Sequence, residues 1–334
     1  MYNVAIVGST GNVGRKFLEI LEERKFPIKK LYLFASKKSA GSYLKFKNLN
    51  ILVEETCKEN IENKKINIAF FSAGGDVSLK FANVFTSIGA VVIDNSSAFR
   101  MNDAVPLIVP EVNPEDIKNH KGIISNPNCS TIQAMIPLKV LNDRYKIKRI
   151  VYSTYQSVSG AGINGILDLE EGLNGKPPKN FPYPIAGNCL PHIDAFLDNG
   201  YTKEEIKMIE ETKKILHDDS LKITSTAVRV PVFNSHSESI NLEFYNSFDI
   251  KDIFNLLKNT EGIEVLDDPN KVKYPTPLLV SGKDKVYIGR IRRDFSLENG
   301  LNLWVVADNI RKGAALNTIQ IAELLIRSEN NANI

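Results

Sequence analysis

One stretch near the start constrains the fold more than any other. Residues 2–7, YNVAIV, are an apolar β-rich run; Gly8 closes it, and GRKFLEILEER then repeats apolar residues at helical spacing. This reads as strand, glycine turn and helix. The pattern recurs: LYLFA reads as a strand, NIAFFSA as another followed by the helical VSLKFANVFTSIG, and AVVIDNS as a further strand. Buried strands separated by helix-length segments predict a Rossmann-type parallel sheet with helical crossovers.

After about residue 127 the texture changes. Longer strands such as RIVYSTYQSV, KITSTAVRVPV and ESINLEFYN alternate in places, with helices expected near 130–143, 162–172 and 203–217. An α+β substrate domain with a largely antiparallel sheet follows. A chain of 334 residues has the length of two domains. The boundaries are set at 1–127 for the nucleotide-binding domain and 128–310 for the second. A one-faced C-terminal helix over 311–330, beginning RKGAALNTIQIAELLIRS, is expected to pack back on the first domain.

A formal net charge of +3 with no dense lysine or arginine block argues against nucleic acid as a partner. No run approaches the ~20 apolar residues of a bilayer span, and the first residues enter a strand without a signal sequence, so the expected location is the cytoplasm. Cys57, Cys129 and Cys189 lack C-x-x-C spacing, and neither a disulfide framework nor a metal site follows.

GSTGNVG places Gly8, Gly11 and Gly14 three apart between strand and helix, where backbone N–H groups and a helix N-terminus can meet a pyrophosphate. A bare glycine turn is the plainer alternative. At the end of the second strand, where an NAD site usually carries a carboxylate, Ser36, Lys37, Lys38 and Ser39 offer cations and hydroxyls instead. That composition favours NADP, although lysines beside serines are also a common solvated loop.

Cys129, in SNPNCSTIQ, precedes a helical segment, so its sulfur sits where a helix N-terminus stabilises a thiolate. A base for it must come from four histidines. His120 reads as a solvated helix end or loop, His217 as a helix C-terminal residue, and His192 as packed beside a proline. His236 reads as a residue of a serine-rich turn between strands, able to face a cleft; a hydrated histidine is the alternative there. Cys57 lies near acids and Cys189 in an apolar setting, and both read as structural.

Taken together, GSTGNVG, FFSAGG, VIDNSSAFR, VPEVN, SNPNCSTIQ, STYQSVSGAG, EEIKMIEETKKIL, VRVPVFNSHSES and ADNIRKGAALN resemble the aspartate-β-semialdehyde dehydrogenase family in order and spacing, over essentially the whole chain. The resemblance implies reductive dephosphorylation of 4-phospho-L-aspartate with NADPH to L-aspartate 4-semialdehyde and phosphate, on the route to lysine, threonine and methionine. It implies a catalytic second domain that also forms a homodimer. It makes Cys129 the nucleophile that carries a thioester, His236 the acid/base and Gln156 the residue orienting the intermediate.

The same resemblance matches Arg229 to the fork for the α-carboxylate and Glu204 to the acid facing the amino group. It matches Arg100 and Lys207 to cations holding phosphate, with Asn128 beside them. For the cofactor it adds Thr10, Gly11, Asn12, Val13, Ala73, Gly74, Ser159, Gly160 and Asn309 to Gly8, Ser36, Lys38 and Ser39. Many relatives carry an arginine in the 2′-phosphate loop where this chain has two lysines, which lack the planar fork. The nearest rival is an N-acetyl-γ-glutamyl-phosphate reductase, disfavoured by Glu204, since an acetylated amine needs no acid. A nucleotide-binding sensor without turnover is disfavoured by the intact Cys129, Gln156 and His236.

Overall fold

The computed structural model describes residues 1–332. The chain divides into two compact units, Asn128–Gly313 and a unit made of residues 1–127 with the chain from Ala314 onward.

Among the described residues the first unit holds strands β1 (Tyr2–Val7), β2 (Ile28–Ala35), β3 (Tyr43–Phe46), β4 (Leu49–Glu55), β5 (Ile68–Phe71), β6 (Val91–Asp94) and β7 (Ile123–Ser125) in one sheet, ordered β3-β4-β2-β1-β5-β6-β7. Every pairing is parallel except β3 with β4. Helices α1 (Asn12–Glu23), α2 (Lys58–Glu62) and α3 (Gly75–Ser87) belong to this unit. Alternation along β1 explains two cores: Val4 and Ile6 join Phe17 and Leu21 of α1 on one face, while Ala5 and Val7 join Phe81 and Phe85 of α3 on the other. Each phenylalanine so buried contributes about 1.5–3 kcal/mol. The parallel sheet expected from the apolar runs is present, and β3, β4 and β7 extend it.

The second unit contains α4 (Cys129–Tyr145), β8 (Ile147–Gln156), α5 (Gly162–Leu173), α6 (Lys203–Leu216), β9 (Lys222–Arg229), β10 (His236–Phe244), α7 (Ile250–Lys258), β11 (Ile263–Val265), α8 (Pro277–Val280), β12 (Val286–Asp294) and β13 (Gly300–Ala307). Its strands run β11-β12-β13-β10-β8-β9, antiparallel across the middle and parallel at the two outer pairs. The expected largely antiparallel sheet is therefore present. One face carries Tyr152, Thr154 and Gln156 of β8, Arg229 of β9, and His236, Glu238 and Ile240 of β10, all buried. Helices α4 and α6 pack together, α4 also contacting β8 and β10 and α6 contacting β9.

The C-terminal helix expected over 311–330 opens on an irregular turn. A π-helical turn, Arg311–Ala315, precedes a helix over Leu316–Ala332, and Arg311–Gly313 belong to the second unit. Asp308 explains the turn: its Oδ1 accepts the N–H groups of Ile310 and Arg311 at 2.9 Å each, and its carbonyl accepts the Gly313 N–H at 3.0 Å.

Candidate active site

The site in the second unit begins with a helix cap. Asn128 has extended backbone and its Oδ1 accepts the N–H groups of Ser130 (2.9 Å) and Thr131 (3.4 Å), which starts α4 at Cys129. Asn128 is itself tied to α6: its Nδ2 donates to Glu204 Oε1 at 2.9 Å and its backbone N–H to Glu211 Oε2 at 2.6 Å. Cys129 is half-buried at the first position of a 17-residue helix with no acid in its first turn, where the dipole favours an anion. Behind it, Gly313 approaches so closely that an added Cβ would lie 3.0 Å from the Cys129 Cβ.

The sheet supplies the other groups. Gln156 and Arg229 are register partners on β8 and β9, and backbone hydrogen bonds in both directions with Leu190 hold Arg229 from its other side. The Arg229 guanidinium is buried, donates from Nη1 to the Ser157 carbonyl at 2.8 Å, and leaves Nε without a partner. Burial pushes its pKa down; Glu204 and Cys129 oppose that shift through their charge. Phe181 reaches the same guanidinium, 5.9 Å from ring centre to Cζ. Asp168 fixes the loop that carries Phe181 by accepting the N–H groups of Lys179, Asn180 and Phe181 at 2.8–3.0 Å.

His236 is fully buried. Burial first, then the charge of Arg229, drives the imidazole well below its ordinary pKa, so the ring is neutral. Its Nδ1 accepts the Ser157 N–H at 3.0 Å and therefore carries a lone pair, which assigns the ring proton to Nε2. Nε2 has no hydrogen-bond partner. It faces the place where a Cβ on Gly160 would lie, 3.2 Å from Nε2 and 2.7 Å from Arg229 Nη1. Asn309 buttresses the ring: its Oδ1 accepts from Ser157 Oγ (3.2 Å), Ser159 Oγ (3.3 Å) and the Ser235 N–H (2.9 Å).

Glu204 gathers the donors. Besides Asn128 it accepts from Gln156 Nε2 at 3.2 Å and pairs with Lys207 Nζ at 3.3 Å; Lys207 also pairs with Asp194 at 2.7 Å. The second unit thus brings Asn128, Cys129, Gln156, Glu204, Lys207, Arg229 and His236 into one connected cluster, with Ser159, Gly160 and Asn309 beside the imidazole.

The first unit carries the other candidates. Gly8 has φ +85°, and a Cβ there would lie 2.3 Å from the Ser72 carbonyl oxygen; one on Gly14 would lie 2.2 Å from the Gly8 carbonyl oxygen. Two of the three glycines are thus required by the turn itself. What fits a pyrophosphate is the N-terminus of α1 beside Thr10, Asn12 and Val13: its N-cap, Gly11, makes no side-chain cap and its first turn has no acid. Ser36, Lys37, Lys38 and Ser39 form a turn directly after β2, the lysines exposed. Ala73 and Gly74 lead into α3, where Gly74 is the N-cap. Arg100 is buried, donating to the carbonyls of Asn126 (2.9 Å) and Asn95 (2.8 Å).

Two expectations are corrected. His236 is the first residue of β10 and not a turn residue, and Ser157 and the sheet bury it, which also excludes the hydrated alternative. Cys189 is exposed, since the apolar neighbours that suggested burial point elsewhere and only Leu190 is buried. Ser157, Phe181, Glu211 and Gly313 were missed. Glu211 had a signal: it lies seven residues after Glu204, on the same helix face as Met208 and Ile215.

A Rossmann-type unit joined in one chain to an α+β unit with this cluster defines an oxidoreductase of the semialdehyde dehydrogenase class. The family model for the semialdehyde dehydrogenase NAD binding domain matches residues 3–120, and that for the dimerisation domain matches 138–312. Within that class, the chain belongs to the aspartate-semialdehyde dehydrogenase family. It is 53% identical to the aspartate-semialdehyde dehydrogenase of Aquifex aeolicus over 98% of both chains. The crystal structure of aspartate semialdehyde dehydrogenase II from Vibrio cholerae complexed with ASA superposes with a TM-score of 0.94 at 47% identity, covering 98% of each chain. The Candida albicans enzyme with NADP superposes with a TM-score of 0.78 at 27% identity, covering 97% of this chain and 98% of that one.

Proposed function

We propose that this protein is an NADP-dependent aspartate-semialdehyde dehydrogenase that converts 4-phospho-L-aspartate to L-aspartate 4-semialdehyde and phosphate through a thioester on Cys129, in the cytoplasm, on the route to lysine, threonine and methionine. The observation that carries the reading is a pair of buried donors without partners, Arg229 Nε and His236 Nε2, on the two side chains that meet at Gly160 in the cluster that contains Cys129. Buried donors left open cost about 1–3 kcal/mol each unless a ligand completes them.

The dipole of α4 and the charge of Arg229 favour the thiolate form of Cys129. His236 rests with its proton on Nε2 and has no lone pair there to take a proton from the thiol; it starts as a donor. Sγ attacks the acyl carbon, forming a C–S bond, and phosphate leaves with the electrons of the broken C–O bond. Bound NADPH supplies a hydride, for which the uncapped α1 terminus and the Ser36–Ser39 turn provide the anion-binding residues. His236 Nε2–H protonates the oxygen of the reduced carbon, giving a thiohemiacetal. On collapse, the C–S electrons return to Sγ and the hydroxyl proton returns to Nε2.

Recognition follows from charge. Arg229 offers a planar fork to the α-carboxylate, and Glu204, buried and already collecting donors, offers a carboxylate to the α-amino group. Gln156, bonded to Glu204, orients the acyl group; Arg100 and Lys207 hold phosphate. Ser159, Gly160 and Asn309 complete the nicotinamide end.

The test supplies L-aspartate semialdehyde, phosphate and NADP and follows NADPH formation. Turnover with this aldehyde and none with N-acetylglutamate semialdehyde is expected. Cys129→Ala abolishes turnover while NADPH still binds by fluorescence titration; retained turnover in that variant refutes the mechanism.

A further inference from the structure

Glu238 is a buried carboxyl that the chemistry above does not use. It sits two residues after His236 on the same face of β10, opposite Thr154 and Val305, and is 0% exposed. Ser130 and Gln133, one turn apart on α4, face it, and Tyr152, opposite Ile240, lies on the same face of the sheet. Yet neither Glu238 oxygen, nor Ser130 Oγ, nor Gln133 Oε1 closes a hydrogen bond. Gln133 does reach across: its Nε2 donates to the His236 carbonyl at 3.3 Å. One side-chain-to-backbone hydrogen bond thus links the helix that begins with Cys129 to the strand that begins with His236.

We propose that Glu238 is a positioning residue for the reaction: through Ser130 and Gln133 it ties the first turns of α4, and so Cys129, to the start of β10, and so His236. The inference rests on the functional reading above and adds a residue to it. A carboxyl enclosed by a sheet and α4 is held neutral by burial, which gives it one O–H donor and one acceptor oxygen. The donor suits the open Gln133 Oε1, and the acceptor suits the Ser130 hydroxyl. A glutamine at 238 keeps one donor and one acceptor in the same shape, whereas leucine keeps only the volume.

The experiment compares Glu238→Gln, Glu238→Leu and Gln133→Met in the full chain, reading kcat, KM and the rate of Cys129 alkylation by iodoacetamide, with label at other cysteines resolved by mass spectrometry. Leucine at 238 and methionine at 133 are expected to lower kcat and the alkylation rate about tenfold with KM for the semialdehyde nearly constant, and glutamine at 238 to restore both to within about threefold of the parent. Parent-like kcat and alkylation in Gln133→Met, or a loss in Glu238→Gln as deep as in Glu238→Leu, overturns the proposal. Should Glu238→Leu not fold, the other two variants decide. Alkylation needs no substrate, so it reads the coupling even if the assigned reaction is wrong, and the parent's own turnover tests that reaction separately.

Discussion

At the scale of single residues, Arg229 is a buried cation placed between Glu204, Cys129 and His236. Replacing it with leucine removes the carboxylate fork and leaves Glu204 buried among fewer cations. Arg229→Leu is expected to lower kcat/KM for the semialdehyde at least about 100-fold, chiefly through KM, while KM for NADP changes less than about twofold. Steady-state kinetics with each substrate varied check the split. Glu238 makes a second prediction, in stability. Unfolded, its carboxyl ionises around its ordinary pKa of 4.5, whereas burial raises the native value well above that. Above pH 4.5 the native state binds more protons than the unfolded state, so this group lowers stability as pH rises. Glu238→Gln removes the effect. The variant is expected to match the parent near pH 4 and to gain on it from pH 4.5 upward, in urea midpoints at matched pH; a gap that shrinks with pH would contradict the burial effect.

At the scale of elements, the exposed turn after β2 carries two lysines and no arginine, so the proposed NADP preference would rest on point charges and not on a rigid fork. Lys38→Ala is expected to raise KM for NADP about three- to tenfold and to leave NAD kinetics unchanged, as exposed ion pairs contribute about 1 kcal/mol or less. Initial rates with the two cofactors give the ratio. The elements were mostly legible in the sequence because their physics is local: β1 and β5 are apolar because both sheet faces are covered, and the helical segment after Cys129 is the body of α4. The polar burials were not legible. Flanking serines placed His236 in a turn facing a cleft and left a hydrated ring open as the alternative, and the Ser157 amide at another strand's end, with full burial, excludes that alternative. Glu238 shares its parity with Ile240, Leu242 and Phe244, all buried, and that alternation was the available sign.

At the scale of the whole molecule, the two family models divide the labour between nucleotide binding and dimerisation. We propose a homodimer formed largely through the second unit. The outer face of its sheet bears the tilted Tyr155–Trp304 pair, 5.5 Å between ring centres, with Tyr155 exposed. Tyr155→Glu places a charge there and is expected to shift sedimentation from about twice the 37.3 kDa chain mass towards one. An unshifted dimer would move the interface elsewhere.

The open position of Cys189 governs how any thiol measurement on this molecule must be read. A bulk sulfhydryl count will include one equivalent at that solvent-facing loop, so label taken up there mixes with label on the half-enclosed Cys129, whose thiolate the start of α4 favours. Preparing the protein with serine in place of that outer thiol removes the exposed background and leaves two half-enclosed thiols, Cys57 and Cys129, for mass spectrometry to tell apart.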